Sequence, residues 1–236
     1  PYAIYARHVL RLRPLPELEE AADASDYGMI VHDALEDWFH AHGTTWPPQA
    51  EAGLQAAFRK ALLARSLRPA LRAWWEPRLM RIASWVAQAE SALREETGTP
   101  EAIRTESRGR VDILDAPHGL FRLVGRADRI DYDTEGRVIV RDYKTGTLPS
   151  VRDVRSGWSP QLPLEAAMIL RGGFSGLPAT TDIAGLVYWR LTGGADPGEE
   201  VVVKPDADAS LTALAEQTWD RLRERVCAYD NPEQPY

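Results

Sequence analysis

Asp128, Asp142 and Lys144 fall within "GRADRIDYDTEGRVIVRDYKTG", residues 125–146, a stretch that otherwise reads as a β-hairpin. A three-residue loop normally ends in a residue of positive φ, so Thr134, Glu135 and Gly136 form the turn and Asp133 faces Arg137. Counting back along both strands places Asp128 directly opposite Asp142. Side chains alternate, so Asp128, Ile130, Tyr132, Val138, Val140, Asp142 and Lys144 share one face, the apolar one. Arg129, Asp131, Asp133, Arg137, Ile139, Arg141 and Tyr143 share the other. Two facing carboxylates with Cβ atoms about 5 Å apart repel each other and are costly to desolvate, so a cation belongs between them. Lys144 supplies one positive charge. A divalent ion is the stronger candidate, because hard cations take carboxylate oxygens together with water and phosphate. The choice of lysine is itself a clue in a chain whose only lysines are Lys60, Lys144 and Lys204. An ammonium can shift its pKa and help activate water, which a guanidinium cannot readily do. The plain alternative is a structural ion pair at a sheet edge, Asp142 with Lys144 or Asp128 with Arg126.

These residues need elements to hold them. Apolar positions three and four apart predict helices over 1–12, 27–41, 49–66 and 69–97, the second behind Ser25 or Asp26 as cap. Trp74, Trp75, Ile82, Trp85, Val86, Ala89 and Leu93 make one stripe of the last helix, which Pro77 should kink or interrupt. From about 101 the period changes to two, predicting strands over 103–114, 120–132 and 137–144 joined by "APHG" and "DTEG" as an antiparallel meander. A loop over 145–160 precedes a helix at 161–171, strands near 183–192 and 199–204, and a closing helix at 208–228. No long linker divides the chain. Helices, then a sheet with one crossover helix, predict a single α+β domain of α/β/α layering over 1–236, with 1–100 helical and 101–236 carrying the sheet and closing helices.

The 236 residues carry a net charge of −7, which argues against nucleic-acid binding through the overall field. The charge is uneven, however. Residues 14–58 have no Lys or Arg, whereas 59–81 hold seven and only Glu76 among acids, so a basic helical segment could meet phosphates. A solvated helix face is the commoner meaning of such a run. The single Cys227, read as half-buried on a helix, excludes an internal disulfide and a cysteine-built zinc or iron–sulfur site. Absence of a signal peptide or membrane-length apolar run, and a start at Pro1, are read as an excerpt of a longer cytoplasmic protein.

The order Gly-x-x-Asp-x-x-Asp, Asp-x-Lys and then a Gln opening a helix resembles the RecB-type nucleases of the PD-(D/E)xK superfamily. Here these are "GRADRID" (125–131), "DYKTG" (142–146) and "PQLPLEAAM" (160–168), preceded by "GMIVH" (28–32) and by Glu106 in "RTES". The opening "PYAIYARHVLRLRPL" is similar to the start of the nuclease domain of bacterial AddB-type helicase–nuclease subunits. The resemblance covers nearly the whole chain and implies a restriction-endonuclease-like core sheet. It also implies Mg²⁺, or Mn²⁺, held by Asp128 and Asp142 with the Tyr143 backbone carbonyl, and His32 and Glu106 as further ligands. Gln161 would contact Lys144 or a phosphate, and Arg126, Arg152 and Arg155 would track the DNA backbone. DNA and an AddA-type helicase–nuclease subunit are the implied partners, with no membrane, in the bacterial cytoplasm. The implied activity is metal-dependent phosphodiester hydrolysis, an exonuclease processing DNA ends for recombinational repair.

Two departures stand out. The cysteine cluster that staples many such domains around iron and sulfur is missing, so no iron–sulfur cluster is expected. The motif Gln-x-x-x-Tyr reads Gln161 to Glu165, leaving the tyrosine's role empty or taken by Glu165. A nuclease fold without activity, serving as a DNA-binding scaffold, is the alternative reading, against which intact Asp128, Asp142 and Lys144 speak. "GGFSG" (172–176) fails as a nucleophile elbow because Leu177 stands where glycine is required. A glycosidase pair would be set wider apart and would not need Lys144.

Overall fold

The computed structural model describes Tyr5, Leu10 and residues 24–113, 119–177, 180, 182–207 and 209–229. Apart from Tyr5 and Leu10, the expected helix over 1–12 lies outside the described residues, as does most of the "APHG" turn. Helices α1 (Ala24–His42), α2 (Ala50–Leu63) and α3 (Pro69–Thr97) lead into β1 (Ala102–Ile113), β2 (Phe121–Tyr132) and β3 (Val138–Lys144). Then come α4 (Val151–Ser156), α5 (Gln161–Leu170), β4 (Ile183–Leu191), β5 (Gly198–Val202) and α6 (Leu211–Tyr229).

Helices α1, α2, α3, α5 and α6 form where the pattern required them, although α1 already includes Ser25 and Asp26, expected as its cap. In α1, Ile30, Val31, Ala34, Leu35, Trp38 and Phe39 recur on one buried face. Gly53 lets α2 approach α1, because a Cβ there would fall 2.3 Å from the Trp38 ring. Helix α3 starts with Pro69, where a missing N–H costs nothing, and stops at Gly98 with φ 85°. It runs on through Pro77 rather than ending there. Trp75, Ile82 and Val86 are buried as expected, but Trp74 is 61% exposed. The expected loop over 145–160 contains α4, too short for a periodic signal. Its cap is local: Ser150 Oγ accepts from the Asp153 backbone N–H at 3.1 Å, and Gly157 closes the other end with φ 80°.

The sheet order is β1-β2-β3-β4-β5, with β1, β2 and β3 antiparallel, β4 parallel to β3, and β5 antiparallel to β4. Strand β3 is therefore central, not an edge. Parallel pairing needs a crossover, which α4 and α5 provide. One face of the sheet packs on α1–α3 through Ile103, Tyr143, Val187, Trp189 and Leu191. The other packs on α5 and α6 through Ala127, Ile130, Val138, Val140 and Leu186. This is the expected α+β, α/β/α arrangement.

The hairpin's second face is buried too. Arg129, Asp131 and Arg141 are at most 2% exposed beneath α3, where fully buried Glu90 pairs with Arg129. Asp131 accepts from both arginines, and Arg141 reaches Glu200. The two guanidinium groups also lie over Phe39 and Trp189. Both faces are therefore covered, one by apolar residues and one by neutralised charge.

The basic stretch 59–81 mostly ties elements together. Arg59 pairs with Glu76, Lys60 with Asp37 and Arg65 with Asp33, while Arg78 and Arg81 donate to the carbonyls of Thr192 and Gly193. Cys227, expected half-buried, is exposed on α6. Among the described residues no helix is long and apolar enough to cross a membrane.

Candidate metal centre

The turn forms as its sequence requires, with Gly136 at φ 74° and Asp133 accepting from the backbone N–H groups of Glu135 and Arg137. The register pairs Arg129 with Arg141, so the next position inward sets Asp128 against Asp142. On the other side, the pairs Thr105–Arg129 and Ser107–Ala127 flank Glu106 and Asp128. Glu106, Asp128 and Asp142 thus stand side by side across three strands. Glu106 has φ 47° inside a β-strand, a left-handed conformation that costs a glutamate on the order of 1–2 kcal/mol.

Helix α1 delivers His32 to this row. Its Nδ1 lies 3.3 Å from Asp128 Oδ1 and 3.5 Å from Glu106 Oε1, and its Nε2 sits 3.0 Å from the Tyr143 carbonyl oxygen. Burial disfavours a charged imidazole, but hydrogen bonding and charge from Asp128 and Glu106 outweigh it and push the pKa up to about 10. Asp128 is fixed by the Tyr143 backbone N–H, which donates to its Oδ2 at 2.7 Å. The Tyr143 ring itself is in the core on the α1–α3 side.

Asp142 is 1% exposed. Burial first, then the charge of Asp128, raise its pKa to about 6 against the opposing pull of Lys144. Lys144 Nζ lies 2.9 Å from Asp142 Oδ1 and 3.0 Å from Gln161 Oε1. Gln161, first residue of α5, returns its Nε2 to Asp142 Oδ1 at 2.6 Å. The ion pair of Asp142 and Lys144 offered as the structural alternative therefore exists, but in a central strand and within a cluster of acids.

His32, Glu106 and Asp128 each place one ligand atom within 4.8 Å of the others. The buried His32 Nδ1 faces one oxygen of each of these two carboxylates. Two carboxylates and an imidazole suit a divalent ion, so the donor set fits the metal expected from the sequence.

Of the three arginines singled out, Arg126 lies at the cluster, with Nε 2.6 Å from Glu106 Oε2. Arg152 is exposed on α4. Arg155 binds the carbonyls of Lys204 and Pro205 and pairs with Asp206, joining α4 to the segment after β5. Two neighbours were not singled out in the sequence. Tyr188 pairs with Asp142 across the parallel β3–β4 ladder, a register no local signal gives. Glu36, one turn after His32 on α1, has its pKa raised by burial and by Glu106. Its i, i+4 spacing from His32 was the available signal.

A profile of the PD-(D/E)XK nuclease superfamily matches residues 1–235, and the chain belongs to that superfamily. An uncharacterized protein of Rickettsia bellii is 27% identical over 175 residues, covering 74% of this chain and 21% of the relative. One of Rickettsia conorii is 26% identical over 181 residues with the same coverage. The chain spans about a fifth of the length of these curated relatives. The crystal structure of SSO0001 is similar over 94% of this chain and 90% of that one, at 16% identity and a TM-score of 0.31.

Proposed function

We propose that this chain is a metal-dependent deoxyribonuclease domain that hydrolyses phosphodiester bonds. The observation that carries this reading is the alignment of Glu106, Asp128 and Asp142 across three strands, with His32 on one side and Lys144 on the other. His32, Glu106, Asp128 and Asp142 would hold Mg²⁺ or Mn²⁺, with the Tyr143 carbonyl beside them. A bound divalent ion supplies Lewis acidity toward a phosphoryl oxygen and toward water.

The protein's own groups do the rest. The Lys144 ammonium has three N–H donors. Asp142 and Gln161 engage two, leaving one for a phosphate oxygen or the attacking water. Held this way, Lys144 orients water toward phosphorus and stabilises negative charge that grows on the phosphate oxygens. The water oxygen bonds to phosphorus and gives up a proton, the bond from phosphorus to the leaving oxygen breaks, and that oxygen takes up a proton, so one water is consumed for each bond cut. Arg126, Arg152 and Arg155 are proposed contacts for the strand's phosphates; Arg126 and Arg155 would exchange present ion pairs to make them.

The motif order and the opening "PYAIYARHVLRLRPL" favour a narrower assignment: the nuclease domain of an AddB-type subunit, an exonuclease working beside an AddA-type helicase–nuclease on DNA ends. The matched segment makes up about a fifth of the relatives' length, which is compatible with such a multidomain protein. The test is incubation with end-labelled single-stranded and duplex DNA in Mg²⁺, Mn²⁺ or EDTA. Mononucleotide or short products that require metal support an exonuclease. Binding without cleavage under every condition would leave a scaffold.

A further inference from the structure

Glu165 is an acid on the buried side of α5, 5% exposed, where burial of a carboxyl is costly without a compensating role. It follows Gln161 by four residues, so both lie on one helix face. Gln161 Nε2 donates to Glu165 Oε1 at 3.1 Å and to Asp142 Oδ1 at 2.6 Å, while its Oε1 accepts from Lys144 Nζ at 3.0 Å. A primary amide has two N–H donors and one carbonyl oxygen. Here each donor has an acceptor and the carbonyl faces an ammonium. Turned over, the amide would set its oxygen against two carboxyl oxygens and its NH₂ against a cation. Glu165 and Asp142 together therefore fix which way Gln161 points.

We propose that Glu165 is a positioning residue for the nuclease site: by accepting a hydrogen bond from Gln161 it locks the amide that holds the Lys144 ammonium in place. The proposal rests on the reading of this site as a phosphodiesterase. Burial, and next the charge of Asp142, push the Glu165 pKa up to about 8. The relay runs from helix α5 to strand β3, so the orientation of the helix is transmitted to the reacting group.

The test uses the 236-residue chain with Glu165→Gln, which keeps an acceptor oxygen, and Glu165→Met, which keeps the length without one; Glu165→Ala runs in parallel should the methionine variant misfold. Because only Lys60, Lys144 and Lys204 are present, lysine-labelled protein gives three side-chain ammonium signals by NMR. Glu165→Met should move the Lys144 signal and leave the other two, and Glu165→Gln should move none. Single-turnover cleavage of labelled DNA in Mg²⁺ should slow about a hundredfold in Glu165→Met and recover in Glu165→Gln, with DNA affinity in Ca²⁺ unchanged in both. An unmoved Lys144 signal in Glu165→Met, or a Glu165→Gln enzyme as slow as Glu165→Met, overturns the positioning role. A wild-type chain that never cleaves DNA instead overturns the nuclease reading, and the NMR signals still decide whether Glu165 positions Lys144.

Discussion

Arg129 and Glu90 form a two-armed ion pair that solvent does not reach: Nη1 lies 2.8 Å from Oε2 and Nη2 3.1 Å from Oε1, with both side chains 0% exposed. Helix α3 is thereby joined to β2 at the residue next to Asp128. Removing one partner of such a pair leaves the other charge buried and uncompensated. Glu90→Ala should lower stability by about 3–5 kcal/mol in urea unfolding.

The same pair predicts a pH dependence. Glu90 is opposed by burial, yet Arg129 holds its pKa down at about 2, against an ordinary value of 4.5. A depressed carboxylate stabilises fully above its unfolded pKa and loses that contribution as pH falls toward the folded one. The stability advantage of wild type over Glu90→Gln should shrink by on the order of 3 kcal/mol between pH 4.5 and pH 2. Urea unfolding of both proteins across that window checks it; a constant gap would mean that Arg129 does not hold Glu90 ionised.

Glu106 separates strain from ligation. Glycine accepts φ 47° without the penalty a residue with a Cβ bears, so metal-free Glu106→Gly should be more stable than Glu106→Ala, which loses the same carboxylate, by about 1 kcal/mol. Affinity for Mn²⁺ should fall in the same variant. Lower stability with unchanged Mn²⁺ affinity would assign Glu106 to structure rather than to the metal.

Much of this site was legible in the hairpin. Turn chemistry at Gly136 set the register, and the register set Asp128 against Asp142. Helix periodicity placed α1 to α3 within a few residues. The buried charge on the second face was not legible, because Arg129, Asp131 and Arg141 alternate as a solvated face would, and Glu90 sits far away in sequence. Only tertiary contact with α3 shows that these charges neutralise one another. Likewise α4 is set by its Ser150 cap rather than by any apolar stripe, and the left-handed Glu106 has no sequence signature.

Lys144 divides chemistry from binding. Lys144→Ala leaves the carboxylates less compensated, so metal affinity should be unchanged or higher while the developing charge loses a donor worth about 3–4 kcal/mol, or a hundredfold to a thousandfold in rate. Lys144→Arg should restore little if water activation matters and much if charge alone does. DNA affinity in Ca²⁺ and single-turnover cleavage in Mg²⁺, measured on all three proteins, distinguish these; wild-type cleavage by Lys144→Ala would return the Asp142 ion pair to a structural role.

Calorimetric titration with Mn²⁺ tests the metal centre most directly, using wild type, Asp128→Ala, Asp142→Ala and His32→Ala, with His40→Ala as control. Asp128 and His32 contribute atoms to one cluster, and His40 lies exposed further along α1. Binding should be lost in the two aspartate variants, weakened at least about tenfold in His32→Ala, and intact in His40→Ala. Unchanged Mn²⁺ affinity in Asp128→Ala and Asp142→Ala would contradict the metal centre itself.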